Sequence, residues 1–304
     1  MPFPSPTLAP PALSFLQLSY GGLAFGGLAA GSTYQLQSLN IDMPGIAGGD
    51  VQRAIDQGEF AGQRVLPGRD ITVVQAIRAP TALALDQAVQ ALGGVLGPTG
   101  ATEAPLYLQL ASGTFVCMAR PAKHNCPIDL NRVQARGTVA TTLFHATDPR
   151  WYAAPSRTAT VGLPAPLGGL QFPASFPVSF GGGGSGGILT VVNAGGFETR
   201  PVFVITGPCT NPTIQNLSLP GAPQLSFALQ MAAGDTLTID TDWQTVIYTT
   251  AGSTQGSSRR NALQPGSTWF NLQPGASQIE FTTSDGTQVP ATLTVHSADA
   301  YLSL

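Results

Sequence analysis

From residue 188 to its end the chain is a succession of short runs in which apolar and polar residues alternate, and this pattern constrains the fold more than any other. The runs are ILTVV (188–192), PVFVITG (201–207), QLSFALQM (224–231), DTLTIDT (235–241), TVIYT (245–249), SQIEFTT (278–284) and ATLTVHS (291–297). Each is too short for a stable helix, and Gly, Pro or Asn punctuates the gaps. Short strands recurring about every ten residues are the pattern of an antiparallel β-sandwich, each sheet keeping one solvated face. The expectation for 188–304 is such a sandwich, galectin-like or jelly-roll-like.

The preceding segment has a different texture. Residues 81–92, TALALDQAVQAL, place Leu85, Ala88, Val89 and Leu92 on one helical face. Pro80 precedes this stretch, and Gly93-Gly94 predicts its end. Strands are expected at Thr72–Ile77 after a turn at 67–70, at Leu106–Leu110 and at Thr114–Met118. Ala111-Ser112-Gly113 would join the last two as a three-residue hairpin connection. A further strand is expected within Val133–Phe144, ahead of Asp148–Tyr152. Residues 34–154 are therefore expected to form an α+β domain with one short helix, in a protein that is mainly β. Residues 155–187 are a Pro/Gly-rich connection containing the Gly181–Gly184 run, with a strand expected at 170–180.

Residues 1–33 form a Pro/Gly-rich N-terminal arm, expected to be exposed or bound to another subunit. Gln17, Ser19 and Tyr20 interrupt its apolar run, and Gly21, Gly22, Gly26 and Gly27 disfavour a helix, leaving a strand or an arm. No Lys or Arg precedes Arg53, so the positive start of a secretory signal is missing. Nor is there a continuous apolar stretch of about 20 residues to span a bilayer. A soluble intracellular product, without membrane association, is the expectation.

Charge narrows the function. Only 10% of the 304 residues are charged, with 13 Lys and Arg against 16 Asp and Glu; an ordinary domain has about 25%. No excess positive charge exists for a general grip on nucleic acid. So little charge fits either a surface largely buried in an assembly or a β surface covered by Thr, Ser, Gln and Asn.

Candidate chemistry is sparse. Three cysteines exclude a disulfide-dense scaffold. Cys117, His124 and Cys126 lack a fourth ligand at zinc spacing; a Cys117–Cys126 disulfide and free thiols are the remaining readings. No G-x-S-x-G elbow occurs, and His145 and His296 stand apart from obvious partners. Asp240 and Asp242 share one strand face beside a turn, which is not a glycosidase pair. The Gly181–Gly187 run has no lysine and no following helix, so it is no phosphate loop. Arg259-Arg260 sits in a polar loop and is expected to be solvated. No catalytic residue, metal or cofactor is predicted, and the chain is not expected to be an enzyme. A ligand-binding alternative rests on Trp243, Trp269 and Tyr248, which could stack on sugars at a host surface if their rings shared an exposed face. Otherwise the tryptophans are core.

Several spaced motifs carry a family resemblance: NAGGFETRPVFVITGPCTNPTIQN (193–216), AAGDTLTIDTDWQTVIYT (232–249), LQPGSTWFNLQPGASQIEF (263–281) and ADAYL (298–302). Upstream, LNIDMPGI (39–46) and ATTLFHATDPRWYA (140–153) agree with it. Together they resemble the distal tail proteins of long-tailed, non-contractile phages, especially those of actinobacterial hosts. The Pro-rich start and the Gln- and Thr-rich loop at 250–262 depart from the family pattern.

The resemblance implies a structural virion protein at the tail tip, made in the host cytoplasm. It would be a homo-hexamer whose N-terminal domains form a ring and whose C-terminal domains project outward. The ring would join the tail tube protein to the tip or baseplate hub protein, and possible further partners are receptor-binding proteins. DNA would only pass through its channel. Within 34–154 the ring contacts are expected from strand edges and loops of 34–79 and 106–144, because the helix stripe should pack on its own sheet. Such contacts are heterologous and close by rotation.

Overall fold

The structure, a computed structural model, describes residues 10–29, 31–97, 102–128, 132, 134–164, 187–285 and 290–304. The strand expected at 170–180 and the Gly181–Gly184 run lie outside the described residues. Two units are distinguished: one runs to Pro155 and takes back Tyr301–Leu304, the other is Ser156–Ala300.

The first unit contains β1 (Gln17–Tyr20), β2 (Leu23–Gly26), β3 (Tyr34–Ile41), β4 (Ala47–Gly48), β5 (Val51–Gln52), β6 (Glu59–Phe60), β7 (Arg64–Val65) and β8 (Arg69–Arg78). Helix α1 (Ala82–Leu96) follows, then β9 (Ala104–Leu110), β10 (Gly113–Asn125), β11 (Gly137–Ala146) and β12 (Trp151–Ala154). The main sheet runs β2-β1-β9-β10-β11-β8-β3. Strand β10 belongs to both halves of it. Residues 113–119 pair with β9, and residues 120–125 pair with β11, with a register shift between Pro121 and Lys123. Proline lacks a ladder donor, and a bulge is where a strand can bend from one layer into the next. The ends of the sheet approach each other, where Leu36 N donates to Gly27 O at 3.0 Å.

Residues 17–26 are not an exposed arm. They form a hairpin, Gln17↔Gly26 to Tyr20↔Leu23, whose first strand pairs with β9 through Leu18↔Leu108. Gly21 (φ +56°) and Gly22 (φ +82°) make its two-residue turn. Both take the left-handed backbone that a primed turn requires, so the glycines that disfavour a helix favour this hairpin. Leu18, Tyr20 and Phe25 are buried, each stabilising the unit by about 2 kcal/mol.

The helix is longer than its sequence pattern predicts. Thr81 caps it, its hydroxyl accepting from Ala84 N at 3.1 Å. Gly93 and Gly94 lie inside it and do not end it. Leu85, Leu92 and Leu96 are buried on one stripe, with Ala88 and Val89 packed beside them. Burial of Leu96, with Val95 packed beside the core, offsets two interior glycines, each unfavourable by about 1 kcal/mol. The β9–β10 connection is also tighter than expected: Leu110 pairs directly with Gly113, leaving two loop residues.

The second unit is a sandwich of antiparallel sheets. Its strands are β13 (Arg157–Gly162), β14 (Ile188–Asn193), β15 (Val202–Thr206), β16 (Cys209–Thr210), β17 (Thr213–Asn216), β18 (Gln224–Ser226) and β19 (Gln230–Met231). They continue with β20 (Thr236–Asp240), β21 (Thr245–Thr249), β22 (Gly256–Ser258), β23 (Gly275–Thr282) and β24 (Thr292–Ser297). One sheet is β13-β24-β15-β20-β21-β22, the other β14-β23-β17-β18. Phe203, Leu237 and Leu293 of the first share a core with Ile214, Leu225 and Phe281 of the second. The run at 224–231 is split into β18 and β19, with Phe227 N bonded to Pro212 O between them. The polar loop at 250–262 carries the edge strand β22.

Candidate functional site

The most exposed apolar surface in the described residues is built by the segment between β3 and β8. Their ladder reaches Ile41↔Ile71 and then continues as a two-stranded ribbon. Ala47↔Val65 and Gly48↔Arg64 keep the same register, because both strands advance seven residues from Ile41 and Ile71 to Gly48 and Arg64. Val51↔Phe60 and Gln52↔Glu59 follow after a shift of one residue. Arg53 N donates to Gly58 O at 3.1 Å and closes the tip.

The ribbon is ordered by its own contacts. A Cβ on Gly62 would sit 2.3 Å from the Gly49 carbonyl oxygen, so only glycine permits this cross-strand approach. Gly62 N donates to Asp50 Oδ1 at 2.8 Å. The Arg53 guanidinium lies 4.9 Å over the Phe60 ring and 3.6 Å from Asp56. Yet Met43, Ile46, Val51, Ile55, Phe60 and Val65 are all more than half exposed. They are six of the sixteen exposed large hydrophobics among the described residues, gathered in 23 positions. Lone exposed apolar residues are ordinary, whereas such a concentration marks a contact surface. Directly opposed residues share a face, which puts Val51 beside Phe60 and Ala47 beside Val65.

The other end of the four-strand layer β10-β11-β8-β3 is the 120–125 half of β10. It pairs with β11 on one side only among the described residues. Along β8, Ile71, Val73, Gln75 and Ile77 are buried, while Asp70 and Arg78 point outward. The outward face also carries Arg120, opposite His145, and Lys123, opposite Leu143. Asp70 is engaged by His145 at 2.7 Å. Arg78, Arg120 and Lys123 make no side-chain hydrogen bond or ion pair among the described residues.

The three candidate stacking residues meet different environments. Trp243 is exposed at the β20–β21 turn. Trp269 packs against the sandwich core. Tyr248 also packs there, its hydroxyl bonded to Asp235 and its ring covered by the Arg259 guanidinium at 5.7 Å. The structure thus brings Tyr248 to Asp235 and Arg259, and gives only Trp243 an open ring.

The Cys117–Cys126 disulfide is not formed: all three cysteines are free. Cys117 lies within β10 and Cys126 just beyond its end. Nine residues of largely extended chain, each about 3.3 Å long, exceed the ~7 Å limit of a disulfide. Burial pushes the Cys117 thiol up strongly, and that of Cys209 up to about 11. Both are protonated packing groups. The remaining histidines are strand neighbours of threonines, His124 Nδ1 3.0 Å from Thr142 Oγ1 and His296 Nδ1 3.1 Å from Thr158 Oγ1. Burial lowers the pKa of both. Asp240 is buried, and its Oδ1 accepts from the amides of Asp242 and Trp243, a local turn. Asp242 itself pairs with Arg200. No group of three metal-ligating side chains occurs among the described residues, and no helix there is long and apolar enough to cross a membrane.

Two spaced motifs of the second unit are joined in space. Asn193 is buried. Its Nδ2 donates to Phe197 O at 2.7 Å, and its Oδ1 accepts from Gly195 N at 3.1 Å and Ala300 N at 3.2 Å. Asp299 accepts from Ala194 N at 2.8 Å and pairs with Arg157 at 2.7 Å. NAGGF and ADA are thus two halves of one hydrogen-bonded junction. Nothing in the sequence signals it except that both motifs are rich in small residues.

Comparison with known proteins bears out the resemblance. Residues 194–295 match the family described as the C-terminal domain of a siphovirus-type tail component. The fold is similar to that of the SPP1 Dit protein, described as a paradigm of the hub adsorption apparatus in phages infecting Gram-positive bacteria. The TM-score is 0.64 and the identity 16%, over 94% of this chain and 99% of that one. It is also similar to a chain of the phage P2 baseplate in its activated conformation with calcium. There the TM-score is 0.51 and the identity 10%, over 93% and 98% of the two chains. The strontium form of that baseplate gives a TM-score of 0.52. No curated protein sequence matches.

Proposed function

We propose that this chain is a structural component of a phage tail, a distal tail protein that assembles as a hexameric ring. The observation that carries this reading is the match of residues 194–295 to a tail-component family, within a fold shared along 94% of the chain with a phage hub protein. The ring is built from the first unit, which carries the exposed ribbon and the open strand edge. It joins the tail tube protein to the tip or baseplate hub and leaves a channel through which DNA passes. Its place is the virion, at the end of the tail.

Physical chemistry supports a role in architecture. The chain is nearly neutral overall, which suits a channel that must let DNA slide rather than hold it. Few ionised groups also suit a permanent interface, whose buried centre is depleted in charge. The match to a tail-component family also supports a structural role.

Mass photometry on the purified full chain tests the reading. The expected species has six times the chain mass. A species that stays at one chain mass across the accessible concentration range would contradict the ring.

A further inference from the structure

We propose that the core of the first unit binds a small monovalent anion of the chloride class, held by the Arg69 guanidinium and the Trp151 indole beside the Cys117 thiol. This site does not depend on the ring reading.

Arg69 opens β8 and alternates with Ile71 and Val73 on the core-facing side of the strand. A guanidinium keeps its proton in proteins, so a full positive charge enters the core. Its Nη2 donates to Leu302 O at 2.5 Å, a neutral acceptor. Its Nε and Nη1 are buried with no hydrogen-bond partner among the described residues. The carboxylates around Cys117 are engaged by other groups. Asp148 accepts from Arg150 Nη1 and from the Tyr152 hydroxyl, each at 2.8 Å. Glu103 accepts from the amide and hydroxyl of Thr147 at 2.8 and 2.9 Å. Cys117 supplies no counter-charge, because burial keeps its thiol protonated.

A second unpartnered donor lies in the same place. Trp151 is fully buried, and its Nε1 also lacks a partner among the described residues. Val116 pairs with Tyr152, and the next step of that register sets Trp151 beside Cys117. Arg69 in turn neighbours Cys117 and Asp148 electrostatically. Three N–H donors, one cation among them, thus gather near one thiol with no acceptor. Buried donors are nearly always satisfied, and a buried charge without a counter-charge is strongly destabilising. A water molecule would satisfy the donors alone; an anion satisfies donors and charge together. Sulfate or phosphate brings more charge and more oxygens than three donors can serve. The enclosure also keeps out a partner's carboxylate side chain. A halide fits the donor set. Leu302 O caps the same guanidinium, so the anion and the returning segment 301–304 stabilise one another.

The full chain, dialysed into a gluconate buffer, tests this by chloride and bromide titration at constant ionic strength. Both halides are expected to raise the melting transition saturably, by a few degrees. Trp151→Phe keeps the ring and removes the N–H, and is expected to weaken the halide response; Arg69→Met is expected to abolish it. Crystals grown in bromide are expected to show an anomalous peak within hydrogen-bond reach of Arg69 and Trp151, a readout that stands even if a variant fails to fold. A wild-type melt indifferent to halide overturns the proposal. So does a halide response unchanged in both variants, or density at these donors with no bromide signal.

Discussion

Single residues show how little of this molecule's polar architecture was legible in its sequence. Gly195 approaches the returning chain so closely that a Cβ would lie 2.0 Å from Ala300 O. Gly195→Ala is therefore expected to destabilise the second unit by about 2–3 kcal/mol, as an overpacked site does, measured as a lower urea midpoint at unchanged slope. The sequence offered only the string NAGG; the need for glycine arises from a partner more than a hundred residues away. Two aspartates respond to pH in opposite directions. The Tyr248 hydroxyl, then the amides of Ala251 and Ala232, hold Asp235 below its ordinary pKa. Its contribution is present above the unfolded carboxylate pKa and is lost as pH falls through the depressed folded value. Burial raises the pKa of Asp240, whose Oδ2 has no partner among the described residues. Its charge opposes folding above the raised folded value, and protonation relieves that opposition as pH falls through it. Asp240→Asn keeps the turn acceptor and removes the charge. It is expected to raise the melting temperature by a few degrees at pH 7, with the gain disappearing once pH lies below the ordinary carboxylate range. Thermal melts at the two pH values check this.

At the level of elements, the alternating strands of the second unit and the apolar stripe of the helix were legible because periodicity reports burial directly. Paired glycines were not, since the same dipeptide does different work in different settings. Gly21-Gly22 lies between alternating residues and turns a hairpin, while Gly93-Gly94 lies within a stripe that continues from Leu92 to Leu96. Open space surrounds both helix glycines. Gly93→Ala and Gly94→Ala are accordingly expected to stabilise the first unit by about 0.5–1 kcal/mol each, read as a higher denaturation midpoint. The β1–β2 hairpin makes the converse prediction. A chain lacking residues 1–33 loses the buried Leu18, Tyr20 and Phe25, and its first unit is expected to lose protection from proteolysis under native conditions. Persistence of a protease-resistant first unit would contradict the packing role given to the hairpin. The ribbon escaped sequence reading because its glycines interrupt the alternation and its apolar residues face solvent.

Across the whole molecule, the order of the chain is not the order of its units. The first unit draws in both the hairpin at 17–26 and the C-terminal Tyr301–Leu304. Arg69, buried at 1% exposure, donates through Nη2 to Leu302 O at 2.5 Å, and the Tyr301 ring meets Phe115 edge-on with centroids 5.5 Å apart. Removing residues 301–304 takes away that acceptor and leaves a buried guanidinium exposed to its full desolvation penalty, about 1–3 kcal/mol or more. The expected result is a lower melting transition for the first unit. These returns also explain why a fragment cut at 34–154 is a poor vehicle for testing assembly: it omits buried strands and the closing tail. Electron-microscopic class averages of the purified full chain test whether it forms a hexameric ring with a channel. Sixfold rings with an open centre are expected. Averages showing single compact particles, another symmetry or a filled centre would contradict it.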